Sequence, residues 1–236
     1  MTANWTSPGD FMSRKRVAVL ISGRGSNMAA LIEAAKDKNY PAEIALVVSN
    51  VAAAGGLQTA RSAGVATAVV NHKKSGKSPK LDRAAFERAL QAVLQHHRID
   101  IVCLAGFMRL LSADFVGHWQ DRMLNIHPAL LPAFKGLDTH KRALEAGVMQ
   151  HGATVHFVVP EMDSGPIVAQ EAIEVRPDDT EVTLAARVLA VEHRIYPLAL
   201  KLLAEGRVHI ERGRCIINTV GSSVGPLIVP GNGGAE

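Results

Sequence analysis

From residue 17 onward the chain alternates short apolar runs with stretches of helical period. The runs at 17–22, 44–49, 67–70, 101–105 and 122–127 have the length and branching of buried strands. Between the first two, Met28, Leu31, Ile32 and Ala35 recur at i, i+3, i+4 and i+7, one face of a helix. A second helix is expected over 52–63, closed by Gly64. Leu81, Ala85, Phe86, Ala89, Leu90, Val93 and Leu94 mark a long amphipathic helix, and 112–118 a short one. This β-α-β-α order predicts an α/β fold: a Rossmann-like, mostly parallel sheet with helices on both faces.

The pattern changes after residue 150. Runs at 154–159 and 167–173 flank a short turn at 161–166, which predicts an antiparallel C-terminal hairpin extending the sheet. Asp178, with Glu181 three residues on, has the form of a helix start. Leu184, Val188, Ile195, Leu198 and Leu202 carry that helix forward, and Pro197 is expected to kink or end it. Polar residues 1–15 read as a flexible tail, and the Gly-, Pro- and Ser-rich end as another. A single domain is expected over 16–210, with a phosphate-binding half at about 16–119, a catalytic half at about 120–210, and a C-terminal tail at 211–236.

Composition narrows the class. The chain has 236 residues, 47% hydrophobic and 20% charged, which suits a packed water-soluble domain. No apolar run near the start is long enough for a signal peptide or a membrane span, so a cytoplasmic protein is expected. Cys103 and Cys215 have no metal or redox spacing. Net charge is +4, but the one dense basic patch, HKKSGK at 72–77, has no interleaved aromatics. That argues against nucleic acid and fits a small anionic substrate or a solvated loop. His151 and His156, five apart in a strand, face opposite sides, and no metal site is expected.

Four segments could carry chemistry. In ISGRGSN (21–27) a strand ends, two glycines turn the chain and Ser26 or Asn27 starts a helix. Such a turn is either a phosphate seat or a plain β-α turn using Gly for its geometry. It is not the dinucleotide fingerprint, since Met28 stands where a third Gly belongs and strand two ends in Asn50 rather than an acid. In NIHP (125–128), Asn125 and His127 share one strand face while Ile126 points to the core, and Pro128 keeps His127 extended. An amide donor beside an imidazole suits oxyanion stabilisation and proton transfer, or is a strand end meeting solvent. Asp163, in the turn of PEMDSGPIV, is a hairpin residue unless the turn folds back over His127. Arg109, in LAGFMRLLS (104–112), lies in a segment that either lines a pocket or continues the core.

Together GRGSN (23–27), FMRLL (107–111), NIHP (125–128), LLP (130–132) and DSGP (163–166) resemble the phosphoribosylglycinamide formyltransferase family of folate-dependent enzymes, from about residue 17 to 207. The resemblance implies transfer of the formyl group of 10-formyltetrahydrofolate, a co-substrate, to the amine of glycinamide ribonucleotide in purine synthesis, without a metal. It gives Asn125 and His127 the oxyanion, His127 the proton for the leaving group, and Asp163 the task of favouring the protonated ring and organising water. It gives Gly25, Ser26 and Asn27 the substrate phosphate and Glu192 another substrate contact. Folate contacts fall on Arg83, Met108, Arg109, Leu110, Leu111 and Asn125. Small-molecule partners are implied, with a monomer or homodimer and no membrane. Asp138 departs from the family, which often has His there; His140 and Lys141 are the available compensation. Relatives that hydrolyse formyltetrahydrofolate carry an added N-terminal domain, and those that formylate methionyl-tRNA an added C-terminal one, and neither is expected here.

Overall fold

The computed structural model describes residues 14–71, 82–219 and 222–229. Most of the expected N-terminal tail, the basic patch at 72–77 and the last residues of the C-terminal tail lie outside the described residues. The chain runs β1 (Lys15–Ile21), α1 (Ser26–Ala34), β2 (Ala42–Ser49), α2 (Gly55–Ser62), β3 (Ala66–Val69), α3 (Arg83–His96), β4 (Ile101–Leu104), α4 (Ala113–His118) and β5 (Met123–His127). It continues through α5 (Thr139–Glu145), β6 (Gln150–Phe157), β7 (Ile167–Glu174), α6 (Glu181–Ala204), β8 (Val208–Glu211), β9 (Arg214–Thr219), β10 (Ser222–Val224) and β11 (Leu227–Val229).

Among the described residues, eight strands form one sheet in the order β11-β7-β6-β5-β4-β1-β2-β3. β1 to β5 pair in parallel, as the alternating pattern predicts, whereas β6 is antiparallel to both β5 and β7. The continuous apolar reading of β1 has a plain cause. Val17, Val19 and Ile21 face a cluster with α1, α2 and α6, while Ala18 and Leu20 face one with α3 and α4. All five are 0% exposed, and each larger side chain so buried stabilises the fold by about 1.5–3 kcal/mol. Tyr196 of α6, also fully buried, donates its hydroxyl to the carbonyls of Leu104 (2.9 Å) and Leu124 (3.3 Å), tying the helix to the sheet.

The topology also locates a crevice. β1 leads outward to β2 and β3, then the chain crosses back to β4 on the other side of β1. Ligands bind at the carboxyl ends of strands at such a reversal. Here Ser22 N–H donates to Gly106 O (3.1 Å) and Met108 N–H to Ser22 Oγ (2.8 Å), fastening the two loops at the reversal to each other.

Three sequence expectations need correction. The long C-terminal helix is capped by Thr180 with Thr183 in a capping box, not by Asp178 with Glu181; Asp179 instead accepts from Thr183 Oγ1 (2.9 Å) and pairs with Arg187. Pro197 does not end that helix, which runs on to Ala204. The stretch 211–229, expected as tail, is structured over its described residues: β8, β9 and β10 form a small antiparallel sheet and β11 adds to the edge of β7.

One backbone approach is unusually tight. A Cβ on Gly152 in β6 would lie 2.0 Å from Glu171 O and 2.9 Å from a Leu130 methyl. Gly152→Ala is therefore expected to cost about 1–3 kcal/mol by overpacking, measured by urea denaturation; an unchanged midpoint contradicts this packing.

Candidate active site

The carboxyl end of β5 carries the first two groups. Met123, Asn125 and His127 share a strand face, and Leu124 and Ile126 turn into the other cluster. Asn125 is half-buried and His127 is 5% exposed. The antiparallel pairing sets His156 opposite Asn125 and Thr154 opposite His127. Thr154 organises the chain that leaves β5. Its hydroxyl donates to Ala129 O (2.7 Å) and accepts from Leu131 N–H (3.1 Å) and Gln170 Nε2 (2.8 Å).

The 161–166 turn folds back over this face. Asp163 Oδ2 lies 3.5 Å from His127 Nδ1, and Asp163 Oδ1 lies 3.8 Å from His156 Nε2. Several contacts hold the carboxylate there. Gly136 N–H donates to Oδ2 (2.9 Å), and Lys135 Nζ donates to Ser164 Oγ (2.6 Å). Asp163 itself adopts φ 51°, a left-handed conformation that Asp tolerates better than most residues. Beside it, a Cβ on Gly165 would fall 1.8 Å from Phe157 O, so the turn closes onto β6 only with Gly there. His127 Nε2 is 2.9 Å from Phe134 O. Both ring nitrogens thus face acceptors.

The glycine turn lies at the same edge of the sheet. Leu20, Leu104 and Asn125 stand in register on adjacent strands, so β1 and β5 end about 10 Å apart. Gly25 caps α1 with φ 73° and no side-chain cap, which leaves the helix start open. Ser26 is half-buried. Asn27 is turned inward, where its Nδ2 donates to Glu192 Oε2. Burial raises the Glu192 carboxyl pKa, and the Asn27 hydrogen bond only partly opposes this. Asn27 Oδ1 is buried without a partner.

The remaining sequence candidates sit around this cluster. Met108 and Leu110 are 64% and 65% exposed at the mouth of the β1–β4 crevice, and Arg109 Nε is buried without a hydrogen-bond partner. Leu111 is half-buried against the α3 cluster. Arg83 begins α3 and lines a groove of about 560 Å³ between α3 and α4. One turn on, Glu87 accepts from Ser112 N–H (2.7 Å) and Ser112 Oγ, linking α3 to the 108–111 segment. Asp138 precedes α5, which carries His140 and Lys141. His140 packs edge-on against buried His151, and Lys141 lies 3.8 Å from Glu145. Among the described residues, no cluster of three His, Cys, Asp or Glu could hold a metal ion.

A formyl transferase family model matches residues 15–200. The phosphoribosylglycinamide formyltransferase of Escherichia coli is 45% identical over 192 residues, covering 81% of this chain and 88% of that protein. This chain belongs to the phosphoribosylglycinamide formyltransferase family. A crystal structure of a family member from Brucella melitensis is 52% identical, covers 84% of this chain and all of that one, and superposes with a TM-score of 0.76. The human trifunctional purine biosynthetic protein adenosine-3 is 50% identical over 202 residues, 85% of this chain. The chain spans about a fifth of that relative's length, 20%.

Several parts of this candidate site carry no signal in the sequence. Gln170, Phe134 and Gly136 gave no signal, since their roles depend on a loop packing across two strands. In the sequence His156 bears only on a metal site; the register of β6 on β5 is what puts it against Asn125.

The Asn27–Glu192 pair yields a pH prediction. A carboxyl whose folded pKa lies above its unfolded value weakens the fold once ionised, so its effect appears as pH rises past the ordinary Glu value of about 4.3. Glu192→Gln keeps an acceptor for Asn27 Nδ2 and can also donate to the orphaned Oδ1. The variant is expected to melt at a higher temperature than the parent at pH 7, with the gap closing in acid. An equal or lower Tm at pH 7 contradicts it.

Proposed function

We propose that Asn125, His127 and Asp163 carry the chemistry of this chain, a transferase that moves the formyl group of 10-formyltetrahydrofolate to the amine of glycinamide ribonucleotide in de novo purine synthesis. The observation that carries the assignment is the 3.5 Å approach of Asp163 to His127, on the strand face that also bears Asn125. A cytoplasmic location belongs to the same reading. So does the division of one domain into a phosphate-binding half and a catalytic half. No helix among the described residues is long and apolar enough to cross a membrane.

Each residue's task follows from its place. The open start of α1, with Gly25, Ser26 and Asn27, offers backbone N–H groups and a helix dipole to the ribonucleotide phosphate, and Glu192 reaches the same substrate through its contact with Asn27. The exposed Met108 and Leu110 provide apolar surface for the flat heterocycle, with Leu111 beneath. The orphaned Nε of Arg109 awaits an acceptor, and Arg83 suits the acidic end of the folate. Across the reversal, a substrate amine held near β1 meets a formyl carbon held near β5.

The reaction is an addition followed by an elimination. The amine attacks the formyl carbon, forming a C–N bond and placing negative charge on the formyl oxygen. The Asn125 amide and the His127 ring donate hydrogen bonds to that oxygen. The bond from the same carbon to the folate nitrogen then breaks, and His127 gives that nitrogen a proton as it leaves. The amine's surplus proton departs through water ordered by Asp163, which returns the imidazole to its starting state. Preorganised donors of this kind are each worth about 10²–10³ in rate.

Hydrolysis of the same formyl donor would use the same three residues on water. The phosphate-type turn at 22–27 favours transfer, because hydrolysis has no ribonucleotide to hold. The test offers 10-formyltetrahydrofolate with and without glycinamide ribonucleotide. Tetrahydrofolate is expected only when the amine is present; equal release without it assigns a hydrolase. His127→Ala is expected to reduce kcat at least about a hundredfold while ribonucleotide affinity stays near the parent value, and a parental rate removes His127 from the chemistry.

A further inference from the structure

Asp163 lies between two histidines, and the reaction as described uses only one of them. The other, His156, stands on β6 directly opposite Asn125 and is 2% exposed. Its Nδ1 lies 2.8 Å from the carbonyl of Phe157. A carbonyl only accepts, so Nδ1 carries the ring proton in the neutral imidazole. The other nitrogen, Nε2, is then a bare lone pair. It lies 3.2 Å from Asn125 Nδ2, and a lone pair can only accept, so the amide must turn its NH2 group toward the ring. The backbone carbonyl selects the tautomer, and the tautomer selects which way the amide faces.

That orientation matters for the chemistry. His156 Nε2 is also 3.8 Å from Asp163 Oδ1, so the Asn125 NH2 group and the carboxylate that faces His127 meet at one ring nitrogen. One N–H is used on His156. The second is available to an oxygen acquiring negative charge beside His127. A flipped amide would set Oδ1 against the Nε2 lone pair and turn its donors away.

We infer that His156 is a positioning residue for formyl transfer: its Nε2 lone pair locks the Asn125 amide with an N–H free for the formyl oxygen. This rests on the role proposed for Asn125. The lock requires a neutral ring. The charged and titratable groups facing it are Asp163 from the β6–β7 turn, His127 from β5 and Lys135 from the loop after β5. Burial, the largest effect, opposes a second ring proton, as do His127 and Lys135; the Phe157 carbonyl and Asp163 favour it, and the ring pKa falls below its ordinary value. Protonating Nε2 would replace the acceptor with a donor, so the amide would turn Oδ1 toward it and the oxyanion would lose its partner.

Two measurements on the full-length chain test this. With ¹⁵N-labelled histidine, and the His156 signals assigned by their loss in His156→Gln, the parent is expected to show a protonated Nδ1 and an unprotonated Nε2 at pH 7.5. A proton on Nε2 overturns the inference. This readout needs no activity, and the variant serves only to assign the signals.

In kinetics, His156→Leu removes the acceptor and is expected to lower kcat about tenfold to a hundredfold, with both KM values within about twofold of the parent's. His156→Gln, whose Oε1 can accept from Asn125, is expected to recover most of that loss. A merely structural role would lower Tm and move KM without this split or rescue. If His156→Leu keeps the parental kcat while Asn125→Ala loses it, the positioning role fails and the assignment of Asn125 stands. If Asn125→Ala itself keeps the parental rate, both fail.

Discussion

The site depends on the Asp163 carboxylate being carried back across the sheet face to His127. β5 ends at His127 on the carboxyl edge. β6 runs antiparallel to it, so β6 finishes with Phe157 opposite Leu124, and the turn that follows leaves from the amino end of β5 and must fold back across the sheet face to reach His127. That fold-back of a short hairpin turn carries an acid to an imidazole 36 residues earlier (163 − 127). Gly165 lets the turn close against Phe157, and the Gly136 N–H fixes the carboxylate once it arrives.

The polar groups at this edge form a chain of mutual constraints. Phe134 O faces one nitrogen of His127, and Asp163 faces the other. Phe157 O faces one nitrogen of His156, and Asn125 faces the other. Thr154 and Gln170, behind them, hold the backbone that leads from β5 into the loop bearing Phe134 and Gly136. Buried polar groups left without partners are costly, so a network closed in this way tolerates few alternative arrangements. The glycine turn across the β1–β4 reversal is built differently. There the backbone N–H groups of α1 remain open, and the buried amide of Asn27 is only half satisfied. A site that waits for a ligand has that character, and a site that must already be aligned has the former.

Much of the sheet was legible because parallel strands buried on both faces leave an unbroken apolar signature, as in 17–21. Asn125 and His127 were also legible as a pair, since a period of two in an extended segment puts them on one face. Asp163 was not. Its turn chemistry reads like that of any hairpin, and only the family resemblance singled it out. The cap of α6 was misplaced because Asp178 with Glu181 and Thr180 with Thr183 have the same spacing, and the choice between them depends on where Arg187 draws Asp179. The C-terminal strands were missed for a compositional reason. Short, glycine- and proline-flanked edge strands carry too little periodicity to separate from a tail, and β11 is specified by the β7 edge it pairs with. His156 depended on the pairing register between strands 31 positions apart (156 − 125), which local pattern does not contain.

The central claim is that Asp163 acts through His127 and not independently. A double-mutant cycle on kcat/KM measures this directly, using His127→Ala, Asp163→Ala and the pair. If the carboxylate works on the ring, the double variant is no slower than His127→Ala alone, because nothing remains for Asp163 to assist. Losses that multiply across the cycle would mean that the two residues act separately, and the site described here would not be the unit that performs the reaction.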